Sequence, residues 1–341
     1  MDNIRKLREV LKTLPAFAKD YFRAIEPTTS TKTRISYAYD IRIFFQFLIS
    51  QNPSLAKVGI PNLNVSVLDQ LKPIDIEEYM EYLKLYDSPN DQTTITNGER
   101  GLKRKISSLR SFYTYYYKRQ AIETNPVQLV DMPKIHDKAI IRLDAGETAA
   151  LLDYIEHCGD QLTGQRKAYY EKTKLRDLAI VTLLLGTGIR VSECVGLDVE
   201  DIDFRNNGIR LIRKGGSEMV VYFGPEVEKA LKDYLEARKA ISPLEGHEHA
   251  LFYSTQRKRI GVQAVENLVK KYARAITTTK KITPHKLRST YGTTLYQETG
   301  DIYLVADVLG HKDVNTTKKH YAAMDDARRR KAATAIRLRE D

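Results

Sequence analysis

Eight consecutive residues, Leu178 to Leu185 (LAIVTLLL), contain a single polar side chain, so a helix built on them is apolar nearly all round. Such a helix has to be covered on every side by lipid or by protein. No uninterrupted apolar stretch in the chain approaches the ~20 residues that cross a bilayer. The cover must therefore come from protein, and the run reads as a buried helix. The run stops at Gly186-Thr187-Gly188, and a short helix around VSECVGL follows. Before it lie a helical stretch, GETAALLDYIEHC, and a polar stretch, GDQLTGQRKAYYEKTK, which reads as a surface loop or helical excursion.

The first third of the chain shows a different pattern. From Thr33 to Leu48, Tyr37, Ile41, Phe44 or Phe45, and Leu48 recur at helical spacing as one buried stripe; TTSTKT offers capping hydroxyls before it and Asn52-Pro53 ends it. IDIEEYMEYLKLY predicts a second helix, stopped at Ser88-Pro89-Asn90. Gly101 to Lys118 predicts a third, with Ile106, Leu109, Tyr113 and Tyr116 on its apolar side. On another side of the third helix, Lys103, Ser107, Arg110 and Thr114 line up as groups that can donate to phosphate oxygens, or simply form a solvated face. Asn125-Pro126 and Met132-Pro133-Lys134 then mark a linker. The expected organisation is a helical domain over residues 1–130, a linker over 131–139, and a second domain over 140–341. In the second domain, Ile209 to Phe223 reads as a β-hairpin turning at Gly215-Gly216, and from Pro225 the pattern is helical to the C-terminus. The fold class is mainly α with a small β-sheet.

A length of 341 residues suits two or three domains, with 42% hydrophobic and 29% charged residues excluding a disordered or collagen-like chain. Lys and Arg exceed Asp and Glu to give a formal net charge of +11, which favours a polyanion, nucleic acid first and an anionic membrane surface second. The two cysteines, Cys158 and Cys194, are too few for a disulfide framework and too distant in sequence for a C-x-x-C metal clip. The start, MDNIRKLREVLKTL, mixes acids with bases and has no apolar signal core. A reducing cytoplasm is the expected location.

Five short patterns in the second domain carry groups able to handle a phosphodiester. Arg190 follows the Gly-Thr-Gly break, Lys214 stands beside the hairpin turn, and His285 and Arg288 lie at i, i+3 in TPHKLRST, on one side of a helix start. His311 follows Leu309-Gly310, and Tyr321 comes later in VNTTKKHY, next to His320. Taken singly, each has a plainer reading: a capping arginine, a solubilising lysine, a C-cap histidine, one of 21 tyrosines. Their joint order is what points to chemistry.

With LLLGTGIRVSECVGLDVEDID, the RKGG hairpin tip, TPHKLRST, VLGHKDVNTTKKHY and ISSLRSFYTYYYKRQAIETNPV, the sequence resembles the tyrosine recombinase (phage integrase) family, and within it the compact two-domain Xer-like enzymes. The resemblance runs from about Ala16 to the C-terminus. It implies a helical core-binding domain plus a mostly helical catalytic domain, clamped around DNA, with Arg190, Lys214, His285, Arg288, His311 and Tyr321 as the active site. The chain is longer than a minimal Xer enzyme, through apparent loops around Asn52–Asn64, Tyr86–Asn97 and Gly159–Thr173, and the His311 to Tyr321 gap is slightly longer than in some relatives.

Physical chemistry fits these roles. Forked guanidiniums from Arg190 and Arg288 can stabilise the charge that grows on the non-bridging oxygens. A phenol of pKa ~10 must lose its proton as it attacks, so Tyr321 needs a base, for which His285 is the candidate, as base or positional donor; His311 is a donor to the phosphate. By resemblance, Lys214 protonates the leaving 5′ oxygen. A phosphotyrosyl link conserves the ester's free energy, so resealing needs no nucleotide. No P-loop and no two-metal carboxylate cluster stands out, and no cofactor or metal is expected. Glu193 reads as orienting Arg190 or a neighbouring helix.

The implied partners are double-stranded DNA bearing a specific recombination site and a homotetramer, or heterotetramer, on two duplexes, with no membrane. The last residues, DDARRRKAATAIRLRED, read as a tail helix that docks on a neighbouring protomer or as a solvated basic tail. The expected role is resolution of chromosome or plasmid dimers. The alternatives are an integrase or excisionase of a mobile element, a topoisomerase, and a catalytically silent DNA-binding protein, which predicts a broken site where all six positions are filled.

Overall fold

The computed structural model describes residues 2–88, 93–136, 140–213, 216–311 and 314. The chain divides into two compact units, residues 1–138 and 139–341.

In the first unit the helices are α1 (Asp2–Lys12), α2 (Ala18–Ala24), α3 (Thr31–Gln51), α4 (Pro53–Val58) and α5 (Pro73–Tyr82). A two-stranded antiparallel ladder, β1 (Leu85–Asp87) with β2 (Thr94–Thr96), leads into α6 (Glu99–Lys118) and the single turn α7 (Pro126–Leu129). Ser30 starts α3 by accepting the Thr33 N–H at 3.2 Å, and the Asn52 side chain starts α4 by accepting from Ser54 and Leu55. Two regions differ from the pattern reading. The second helix ends at Tyr82, and Leu85 and Tyr86 belong to β1, whose central Tyr86 is buried between two exposed neighbours. The stretch Asn52–Asn64 holds α4 and a short 3-10 turn, Ile60–Asn62.

Aromatic rings fill this unit's core, where Phe17, Tyr21, Phe44, Phe45, Phe112 and Tyr116 meet mostly edge to face. Each core tyrosine needs a partner for its hydroxyl: Tyr21 donates to Ser111, Tyr113 to the Leu68 carbonyl and Tyr116 to the Phe17 carbonyl. Charged side chains are buried with them, Asp40 most deeply. Asp40 of α3 is met by Arg104 and, at 3.8 Å, by Lys105, both from α6. Burial raises the Asp40 pKa against the pull of those cations, and burial lowers that of Lys105.

The second unit runs α8 (Ala145–His157), α9 (Gly164–Thr187), α10 (Val191–Gly196), β3 (Ile202–Asp203), β4 (Gly208–Ile212), β5 (Glu218–Tyr222), α11 (Pro225–Arg238), α12 (Val262–Ile276), α13 (Pro284–Thr299) and α14 (Ile302–Leu309). The polar stretch before the apolar run opens with a 3-10 turn, Cys158–Gln161, and from Gly164 it is the start of α9 itself, so Gly164 to Thr187 is one helix of 24 residues. Its 179–184 segment is wholly covered but for Thr182, packed among α8, α11, α12 and α13. The hairpin gains a third strand: β3, β4 and β5 form an antiparallel sheet in that order. Between Arg238 and Val262 the chain is not helical; it turns through 239–261 with a β-bridge between Tyr253 and Arg259. No helix among the described residues is long and apolar enough to cross a membrane.

Candidate active site

The site is built where three chain reversals meet. Helix α9 ends at Gly188, whose φ of +63° is left-handed and whose N–H bonds the Leu184 carbonyl. A Cβ there would come within 2.3 Å of the Tyr291 ring, so a side chain is excluded by both backbone and space. Two residues on, Arg190 caps α10. Its N–H donates to Glu193 Oε2 at 2.7 Å and its Nη1 to Glu193 Oε1 at 2.8 Å, so one carboxylate holds both the backbone and the guanidinium. The Glu193 side chain is buried while that of Arg190 is 40% exposed.

Helix α14 ends in a two-bond Schellman turn: the Gly310 N–H bonds the Asp307 carbonyl at 2.7 Å and the His311 N–H the Ala306 carbonyl at 2.9 Å. Three carbonyls at this end remain for other donors, and each receives a guanidinium. Arg213 Nη2 donates to the Val308 carbonyl at 2.8 Å, Arg288 Nη2 to that of Leu309, and Arg190 Nη2 to that of Gly310 at 3.3 Å. Arg288 also donates through Nη1 to the Gly188 carbonyl at 2.5 Å, which joins the ends of α9 and α14 through one side chain. Negative carbonyl ends at a helix C-terminus are a favourable seat for cations.

The structure thus brings Arg190, Arg288 and the backbone leading into His311 together. His285 lies one turn before Arg288 on α13, just after Pro284 at the helix start, and is exposed where Arg288 is only 5% exposed. Arg288 is therefore the inner guanidinium and Arg190 the outer. Lys214, Tyr321, His320 and the C-terminal tail lie outside the described residues. Three positive side chains share the site with Glu193, bonded to Arg190, and with Asp307, which draws on Arg213. An arrangement this rich in planar donors suits a phosphate-like anion. Among the described residues no group of three or more His, Cys, Asp or Glu is placed to hold a metal ion.

Arg213 is the residue that motif reading passed over in favour of its neighbour. Its signal lay in the strand period: Ile209 and Leu211 are buried and Arg210 and Ile212 exposed, so the next inward position falls on Arg213. A charge at an inward position requires a partner.

On α6, the four residues proposed for DNA contact differ in what they have free. Lys103 and Thr114 are half-buried, and Ser107 is exposed with its hydroxyl on the Lys103 carbonyl. Arg110 turns toward α7, where Nη2 donates to the carbonyls of Val127 and Val130 at 3.1 and 2.8 Å. It closes the end of a helical turn that has no glycine cap.

Comparison with known proteins shows the family to which the chain belongs. The profile of the phage integrase family matches residues 142–328. The chain is similar to tyrosine recombinase XerC of Caldanaerobacter subterraneus subsp. tengcongensis, 32% identical over 98% of this chain and 90% of that protein. It is similar to tyrosine recombinase XerS of Lactococcus lactis subsp. cremoris, 30% identical over 93% of each. Among solved structures, the Tn1549 transposon integrase in complex with transposon right end DNA has a TM-score of 0.65 at 21% identity, over 93% of this chain and 98% of that one. The XerH site-specific recombinase bound to its difH substrate has a TM-score of 0.64 at 18% identity, over 89% and 79%. These two show the shared fold.

Proposed function

Because the chain belongs to the phage integrase family, we propose that it is a site-specific DNA recombinase that cuts and rejoins strands through a 3′-phosphotyrosyl intermediate and a Holliday junction. The observation that carries the reading is the cluster of guanidiniums on the α14 C-terminus, with His311 next in the chain and His285 one turn from Arg288.

In this reading the scissile phosphate sits against Arg190, whose exposed guanidinium takes a non-bridging oxygen, with Arg288 supplying positive charge behind it. Tyr321 Oη attacks phosphorus as His285 accepts or positions its proton, and His311 donates to a second oxygen. The bond from phosphorus to the 5′ oxygen breaks, and Lys214 gives that oxygen its proton. A 5′-hydroxyl from another strand reverses the steps and seals the exchanged backbone, so neither nucleotide nor external nucleophile is consumed.

The first unit serves as the core DNA-binding domain and the second as the catalytic domain ending in a tail helix, joined by the proline-containing linker. The partner is duplex DNA with a specific site, engaged by a tetramer on two duplexes in the cytoplasm. The two curated relatives are Xer recombinases, which supports resolution of chromosome or plasmid dimers as the role.

Sequencing DNA trapped covalently on the protein in cells identifies the site, and a nicked suicide duplex of that sequence then tests the chemistry. Wild type should form a covalent adduct, and Tyr321→Phe should bind the duplex but form none. A persistent adduct with Tyr321→Phe refutes the assignment.

A further inference from the structure

The half-buried arginine that follows β4 has no carboxylate hydrogen-bonded to it among the described residues, and holding a partly desolvated guanidinium on a single backbone carbonyl is a poor source of stability. Its surroundings are nonetheless closely shaped to it. An ideal Cβ on Gly310 would fall 1.3 Å from Arg213 Nη1 and 2.2 Å from its Cζ, so the guanidinium occupies the space that any other residue at 310 would fill. Its Nε is buried with no hydrogen-bond partner, which leaves Nη2 on the Val308 carbonyl to orient the plane. Burial pulls its pKa down, and the nearby Arg190 adds to that, opposed by Glu193 and Asp307.

Its backbone is fastened as firmly as its side chain. The Arg213 N–H donates to the Ser217 carbonyl at 2.9 Å, and its own carbonyl accepts the Gly216 N–H at 3.0 Å, with Gly216 at a φ of +81°. The residue is thus a hydrogen-bonded rung beyond the end of β4, and the peptide bond that leaves it enters Lys214.

We propose that Arg213 is a positioning residue for strand cleavage: it pins the end of β4, and so the chain entering Lys214, to the α14 C-terminus that also seats Arg190 and Arg288 and leads into His311. The inference rests on Lys214 being the acid that protonates the leaving 5′ oxygen, as in the proposed function.

A change of leaving group separates this role from general damage. A 5′-bridging phosphorothiolate expels a thiolate, which needs far less help from an acid because a thiol has a pKa of ~8.5. Full-length wild type, Arg213→Met, Arg213→Lys and Lys214→Ala are compared on the nicked suicide duplex with either oxygen or sulfur at the bridge, reading the rate of covalent adduct formation. Both Arg213 variants should be slowed on the oxygen substrate by about tenfold to a hundredfold, the scale of a misplaced catalytic group. On the sulfur substrate both should return to nearly the wild-type rate, as Lys214→Ala should. Arg213→Lys keeps the charge without the planar fork, so it reports even where Arg213→Met fails to fold. Wild-type rates on oxygen, or an equal loss on oxygen and sulfur, overturn the positioning role. Failure of wild type to form an adduct, or of sulfur to rescue Lys214→Ala, refutes the acid assignment itself and the inference with it.

Discussion

Replacing Arg288 with methionine removes the side chain that joins the ends of α9 and α14. Its two donors satisfy the carbonyls of Gly188 and Leu309, both residues being buried. A buried acceptor left without a donor costs roughly 1–3 kcal/mol, so two such groups set a range of about 2–6 kcal/mol. Removing a desolvated guanidinium gives part of this back, and we expect a net loss near 2–4 kcal/mol. In a unit of this size each kcal/mol lowers the melting temperature by about 2–4 °C, which places the shift at about 4–16 °C. Arg288→Lys keeps the charge but reaches one carbonyl at most, and should lose about half as much. Calorimetry on the full chain, following the transition of the 139–341 unit, measures the shift. The same variants on the suicide duplex should lose about 10²–10³ in adduct rate, the scale of one charge-stabilising donor. A methionine variant that melts within about 1 °C of wild type would show that the two carbonyl bonds do not hold the helix ends together, and the architecture argued for this site would fall with it.

The other expectations concern separate parts of the chain. Arg110→Ala should destabilise the first unit by about 1–3 kcal/mol, because two carbonyls at the end of α7 lose their donor. Lys103→Ala should leave the melting temperature unchanged while lowering the slope of log K for DNA against log salt by about one; the reverse assignment of these effects would refute the division of labour on α6. Asp40→Ala strands Lys105 in the core and should cost about 3–5 kcal/mol, of which Asp40→Ala/Lys105→Met should recover most; an equally unstable double variant would show that the pair is not the cause. At the surface, a hydrogen bond from His249 to Glu200 lifts the imidazole pKa above its ordinary 6.5 and pulls the carboxylate's down. Its small stabilising effect is complete below the ordinary value and is lost as pH rises through the raised one. An NMR titration should find His249 above 6.5 in wild type and lower in Glu200→Gln; equal values would rule the pair out.

Particular residues show why some of this was legible in advance. The α3 stripe, its Ser30 cap and the glycine stop after α9 are short-range relations, governed by rotamers, caps and backbone sterics within a few residues. Leu85 and Tyr86 were misread as helix because an apolar pair next to a helix continues its period, and only pairing with Ile95 and Thr96 makes them strand. The start of α9 was ambiguous for a related reason: a polar segment carries little periodic signal, yet it extends a helix already nucleated by its buried half.

By itself the sequence determined the buried apolar helix, its stop at Gly186-Thr187-Gly188, and the residue types able to meet a phosphodiester. The tertiary structure decided which backbone atoms those side chains would hold. Arg288 bonds Gly188 across 100 residues, Arg190 bonds Gly310 across 120, and Arg213 bonds Val308 across 95. No local propensity encodes a donor and an acceptor that far apart in the chain. For Arg288 burial enforces the pairing, because a guanidinium and a helix-end carbonyl taken out of water must each find the other or lose free energy the fold cannot spare; for the partly exposed Arg190 and Arg213 the negative end of α14 supplies the attraction.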